Sequence, residues 1–94
     1  MKKLIWTIAA GRDMERLHSF IAKNNKNAAK RAANAIVHSA RLLQKSPRMG
    51  VLSEDKASRE YSVAFAKTGY ILRYMIDGNH DIVILRVYHQ KENR

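Results

Sequence analysis

The chain's single proline, Pro47, separates two hydrophobic rhythms, and that separation constrains the fold more than any other feature. Through most of the stretch before it, apolar side chains recur every three or four residues; after it they alternate. A helical period does not settle as a strand, nor an alternating one as a helix, so the chain must pack helices against a sheet.

The helical part begins after a short strand. Leu4 to Ile8 is β-branched and aromatic, and Thr7 to Gly11 reads as the turn that ends it. From Arg12, Met14, Leu17, Phe20 and Ile21 keep helical spacing, with Asp13 and Glu15 in the first turn, where the macrodipole favours acids. Lys23-Asn24-Asn25-Lys26-Asn27 forms a polar link whose Asn27 can cap the next helix. Ala28 to Lys45 contains neither Gly nor Pro and carries Ala29, Ala33, Ile36, Ala40 and Leu43 as its buried seam, until Pro47 stops it. Two amphipathic segments across so short a link predict an antiparallel helical hairpin. The other side of the second helix carries Lys30, Asn34, His38, Arg41 and Lys45, readable as a solvated face or as a basic stripe with a partner.

Residues 47–58 read as an irregular polar loop. Three strands follow, at Glu60 to Phe65, Tyr70 to Ile76 and Ile82 to His89, the last two joined by Asp77-Gly78-Asn79-His80, where Gly78 supplies positive φ. The expected class is α+β in the order β-α-α-β-β-β, a single domain over residues 1–94 with the hairpin on one face of a mainly antiparallel sheet. In strict alternation, Tyr70, Leu72, Tyr74, Ile76, Val83, Leu85 and Val87 face the helices. Ile71, Met75, Ile82 and Ile84 then face outward with Arg73, Arg86 and Tyr88. One helical layer covers one face only, so the outward face is expected to be apolar, edged with arginine, and available to a partner unless loops or the C-terminal tail cover it.

Charge and missing residue types narrow the chemistry. The formal charge is +10, and residues 1–50 hold eleven Lys and Arg against two acids, whereas residues 51–94 hold seven against six. The field belongs to the helical half and calls for an anionic partner. No cysteine is present, which excludes disulfides and thiol catalysis and suits a reducing cytoplasm. The opening Met1-Lys2-Lys3 and the apolar residues after it resemble a secretory leader, but the run is short and reads better as a sheet strand. No stretch reaches the ~20 apolar residues of a membrane span. The four histidines are dispersed and no metal or cofactor site is expected. One polar group remains, Arg59, Arg73, Arg86, Tyr88, His89 and Lys91. It has the residue types for metal-free RNA cleavage, with Arg stabilising the phosphorane and His or Tyr moving protons, and equally those of a protein interface.

Tyr70-Ile71-Leu72-Arg73-Tyr74, followed by Asp81-Ile82-Val83-Ile84-Leu85-Arg86-Val87-Tyr88-His89-Gln90, resembles the ParE/RelE toxin superfamily of bacterial type II toxin-antitoxin modules. The Trp6 strand, the Ser46-Pro47-Arg48-Met49-Gly50 stop and Arg59-Glu60-Tyr61 add to the likeness, and the ending Ile84-Leu85-Arg86-Val87-Tyr88-His89 is similar to the ParE branch. The resemblance implies the β-α-α-β-β-β fold and a cognate antitoxin that wraps the toxin. Its target would be either DNA gyrase, poisoned by ParE-type members in a plasmid-stabilising module, or mRNA in the ribosome, cut by RelE-type members.

The departures favour the first target. Gln90 stands where YoeB-like nucleases end Tyr-His-Tyr, Ile71 occupies the place of their catalytic arginine, and the Lys-x-Lys cluster has no counterpart ahead of Arg59. The expectation is a gyrase inhibitor without catalytic residues. Antitoxin contacts are expected at Ile71, Arg73, Ile82, Ile84 and Arg86, and target contacts at Tyr88, His89, Lys91, Arg94 and the helical-hairpin face. The alternatives are a ribosome-dependent endonuclease using Arg59, Arg73, Arg86, Tyr88 and His89, or an interaction module on the same fold.

Overall fold

The computed structural model describes residues 2–92. Its elements are β1 (Leu4–Trp6), α1 (Ile8–Ala22), α2 (Lys26–Lys45), β2 (Val51–Leu52), β3 (Arg59–Phe65), β4 (Thr68–Ile76) and β5 (Ile82–His89). The strands form one sheet in the order β1-β5-β4-β3-β2, antiparallel except for β1, which runs parallel to β5. This is the expected α+β order with one addition. The segment read as loop contains β2, whose two residues pair with Glu60 and Arg59.

Both helices begin earlier than the sequence pattern predicts, because side-chain caps rather than apolar spacing set their starts. The Thr7 hydroxyl accepts from the Ala10 N–H at 3.1 Å and donates to the Ile84 and Leu85 carbonyls of β5. It therefore starts α1 at Ile8, with Gly11 inside the helix, and anchors that start to the sheet. Asn25, not Asn27, caps α2 by accepting from the Ala28 N–H at 3.0 Å. At the other end, Ser46 closes α2 with its N–H on the Leu42 carbonyl.

The helices cover one face of the sheet. Leu17 of α1, Ala32, Ile36, Ala40 and Leu43 of α2, and Val63, Tyr70, Leu72, Tyr74, Ile82, Ile84 and Val87 of the strands form one buried cluster. The alanines of α2 let the helix backbone approach the sheet closely. Tyr74, fully buried, donates its hydroxyl proton to the Pro47 carbonyl at 2.6 Å and accepts from the Gly50 N–H at 2.9 Å, which ties the end of α2 to the centre of the sheet. Among the described residues no helix is long and apolar enough to cross a membrane.

The predicted phase of β5 is wrong over its first half. Tyr74 pairs with Ile84 and Arg73 with Arg86, leaving Leu85 as an extra residue in a β-bulge. The bulge reverses the alternation. Ile82 and Ile84, expected to face outward, are fully buried under the helices, Val87 joins them beyond the bulge, and Val83 and Leu85 leave the core. Phe20, expected in the core, is 71% exposed. In the β4–β5 connection, positive φ falls on His80 (66°) rather than on Gly78, and the Asp77 carboxylate organises the loop by accepting from the N–H groups of Asn79 and Asp81.

Candidate interaction surfaces

The sheet face opposite the helices is the first candidate. The register puts Ile71 opposite Tyr88, Arg73 opposite Arg86, and Met75 opposite Val83, with Ile5 beside Val83 on β1. Ile71 is 9% exposed between its strand neighbours, Met75, Val83, Leu85 and Tyr88 are half-buried, and Ile5 is exposed. No helix packs over them. The outward apolar face expected from the sequence therefore exists, built from Ile71, Met75, Val83 and Leu85 instead of Ile82 and Ile84.

The arginines of this region are held by the chain's own acids and carbonyls. Arg73 donates to the Asp55 carboxylate at 3.0 Å and to the Ser58 hydroxyl at 3.2 Å. Arg86 bonds the Asp13 carboxylate through Nε at 2.8 Å and through a terminal nitrogen at 3.1 Å, while its guanidinium lies 5.1 Å from the centre of the Tyr88 ring. Asp13 itself is buried. It also accepts from the Val87 N–H at 2.9 Å and from Arg16, so it clamps α1 to β5 just beyond the bulge. Burial raises the Asp13 pKa, but the bonds from Arg86, Val87 and Arg16 together outweigh it, and the carboxyl titrates below its ordinary value.

Arg59 is engaged elsewhere, donating to the Gly50 carbonyl at 2.9 Å and to that of Arg48. His89 sits on the helix side at the far end of the sheet. Its Nδ1 accepts from the Lys91 N–H, which leaves the proton on Nε2 to be donated to the Thr68 hydroxyl at 3.1 Å, and the ring meets Tyr70 edge-on. Arg59 pairs with Tyr74 from one side of β4 and His89 with Tyr70 from the other, so four residues along the strand and two inter-strand spacings separate their backbones, about 16 Å. The structure brings Arg73, Arg86 and Tyr88 together on the outer face; Arg59 and His89, paired with the core residues Tyr74 and Tyr70, lie on the helix side of the sheet and far from each other.

A second surface was not foreseen. Leu17, Phe20 and Ile21 of α1, with Tyr70, His89 and Lys91, line a mainly apolar groove of about 490 Å³, closed at one side by the Arg16–Glu92 ion pair. The signal lay in the spacing: Met14, Leu17 and Ile21 complete a helical stripe without Phe20, which falls off it. Of the expected target contacts, Tyr88, His89 and Lys91 lie on or near these surfaces, and Arg94 lies outside the described residues. Among the described residues no group of three His, Asp or Glu is placed to hold a metal ion.

Residues 4–94 match the family model described as the ParE toxin of the type II toxin-antitoxin system parDE. A solved structure titled as the chromosomal ParDE toxin-antitoxin system from P. aeruginosa superposes with a TM-score of 0.75 at 23% identity, covering 95% of this chain and 96% of that one. That likeness supports the fold. Among curated proteins none matches the chain significantly.

Proposed function

From its membership of the ParE toxin family, to which the chain belongs over residues 4–94, we propose that it is a toxin that acts by binding DNA gyrase and stalling it on cleaved DNA, so that replication stops. A cognate antitoxin is its partner by family. We propose further that this antitoxin wraps the sheet face carrying Ile71, Arg73 and Arg86, and that gyrase meets the end carrying Tyr88, His89 and Lys91. The work is done in the cytoplasm, where gyrase acts, and the module is of the plasmid-stabilising type.

The observation that carries the binding mode of action is the state of the candidate nuclease groups. Arg59, Arg73 and Arg86 are held by internal carbonyls and carboxylates, and both ring nitrogens of His89 are occupied. A metal-free ribonuclease needs an arginine directed at the phosphorane and a base with a free lone pair, converging within hydrogen-bond reach. A binding toxin needs neither.

The test pairs two assays on the purified chain: supercoiling by gyrase, and cleavage of ribosome-bound mRNA. Loss of supercoiling with accumulation of cleaved DNA is expected, with mRNA intact. Undisturbed supercoiling beside cut mRNA overturns the proposal in favour of the ribosome-dependent endonuclease. No effect in either assay overturns it in favour of an interaction module.

A further inference from the structure

Residues 16–53 contain no Asp or Glu, and α2 lies wholly within that tract. The fold sorts the helix cleanly. Ala29, Ala32, Ile36, Ala40 and Leu43 are buried, while Lys30, Arg31, Asn34, His38, Arg41 and Lys45 are all exposed on the other side. Its twenty residues make a rod of about 30 Å with no internal proline or glycine to bend it. Ion pairs among the described residues use Arg16, Arg73 and Arg86, none of them on α2. Like charges at this spacing disfavour the helix locally, and within the stripe only Lys45, in the last turn, is favoured by the helix dipole.

The basic surface continues past the end of α2. Lys2, Arg48 and His80 line a cleft of about 340 Å³ with Ser46, Pro47, Met49 and Ile76. The nearby acids, Asp77 and Asp81, are turned to the backbone: Asp77 accepts from Asn79 and Asp81, and Asp81 from the Lys3 N–H. Three basic side chains line an open hollow at the end of a basic rod.

We propose that the exposed face of α2, continued by the Lys2–Arg48–His80 cleft, seats the phosphate backbone of duplex DNA independently of sequence. Composition selects this partner over an acidic protein. Protein interfaces centre on a desolvated aromatic or aliphatic anchor, whereas α2 has no Phe, Tyr or Trp, and Leu42, at 36% exposure, is its one large apolar side chain at the surface. The apolar surfaces suited to a protein lie elsewhere, on the outer sheet face and in the Phe20 groove. The surface offers unpaired bases no Phe, Tyr or Trp platform, only the smaller rings of His38 and His80, which disfavours single strands. B-form DNA presents a major groove wide enough for an α-helix between its phosphate rims, and A-form RNA does not. The contact does not depend on which enzyme the toxin inhibits.

The test is fluorescence anisotropy of a labelled random-sequence DNA duplex titrated with the full chain across a salt series. Micromolar binding is expected, with log K falling against log salt at a slope of about −4, since each neutralised phosphate contributes about −0.9. The combined variant Lys30→Gln/Arg41→Gln/Lys45→Gln should make the slope shallower by about 3 while its thermal midpoint stays at the parent value. Arg12→Gln/Lys56→Gln/Lys67→Gln removes the same charge outside α2 and should leave the slope nearly unchanged. Equal losses in both variants would reduce the effect to net charge and overturn the proposal. So would competition by polyglutamate as strong as by DNA of equal charge, or tighter binding to an RNA duplex.

Discussion

A single carboxylate, Asp13, joins the helical and sheet halves of the molecule. It receives Arg86, Arg16 and the Val87 N–H at the place where the bulge has interrupted the edge of β5. Replacing it by alanine orphans a buried N–H and releases Arg86 from its position over Tyr88. The half-exposed guanidinium can rehydrate, which limits the loss, so Asp13→Ala should cost about 2 kcal/mol in urea unfolding. The sign of the pH effect follows from the lowered pKa. Its stabilisation is complete above the ordinary carboxyl value of 3.8 and fades as pH falls through the lower folded value. Accordingly, the urea midpoint of Asp13→Asn should fall less on acidification than that of the parent, and an unchanged acid limb would refute the assignment. Asp55, lowered by bonds from the Ser58 and Ala57 N–H groups, is shared by both proteins and leaves part of the limb in place. Sequence pattern showed Asp13 only as an acid near a helix start. Its partner Arg86 is 73 residues away, a separation that no local period registers.

Turns and bulges fix what the strands present. Ala66 opens the two-residue β3–β4 turn at φ 54°, where an L side chain meets the following carbonyl. Ala66→Gly should therefore raise stability by up to about 1 kcal/mol, a gain of roughly 4–8 °C in thermal midpoint for a domain of this size. Gly50 has the opposite sensitivity. A Cβ there would lie 2.6 Å from the Tyr74 hydroxyl oxygen and 3.0 Å from the Glu60 carbonyl oxygen, so Gly50→Ala should destabilise by about 1–3 kcal/mol and break the tie between Tyr74 and the end of α2. Denaturant melts of the two variants, moving in opposite directions, check both. The helices, the three long strands and their order were legible because each carries a sustained period. The faces of β5 were not, since its core residues Ile82, Ile84 and Val87 are spaced two and then three apart. That spacing is consistent with a bulge, but alternation alone favoured the regular reading. For the candidate sites, Ile71 and Arg73 kept their expected outward placement, while Ile82 and Ile84 lost theirs to this one inserted residue.

At the scale of the whole molecule, the chain separates its surfaces by chemistry: a basic helical side, an apolar outer sheet face, and a groove beside Phe20. A domain this small buries only about 60% of its unfolded surface, and leaving one sheet face open reduces its margin further. Met75→Glu/Val83→Glu should preserve the circular dichroism of the toxin, because neither side chain belongs to the core. Titration calorimetry should show antitoxin affinity reduced at least about a hundredfold, the scale of losing anchors worth about 2–3 kcal/mol. Undiminished affinity would move the antitoxin to another face. The parallel pairing of β1 with β5 also has a consequence for synthesis. Leu4 meets Ile82, 78 positions further along, and Thr7 needs the carbonyls of Ile84 and Leu85 to anchor the start of α1. While the ribosome is still making the middle of the chain, the first strand has no neighbour and the sheet no centre. Assembly therefore waits for β5, and the nascent toxin presents no finished outer face until that strand has emerged.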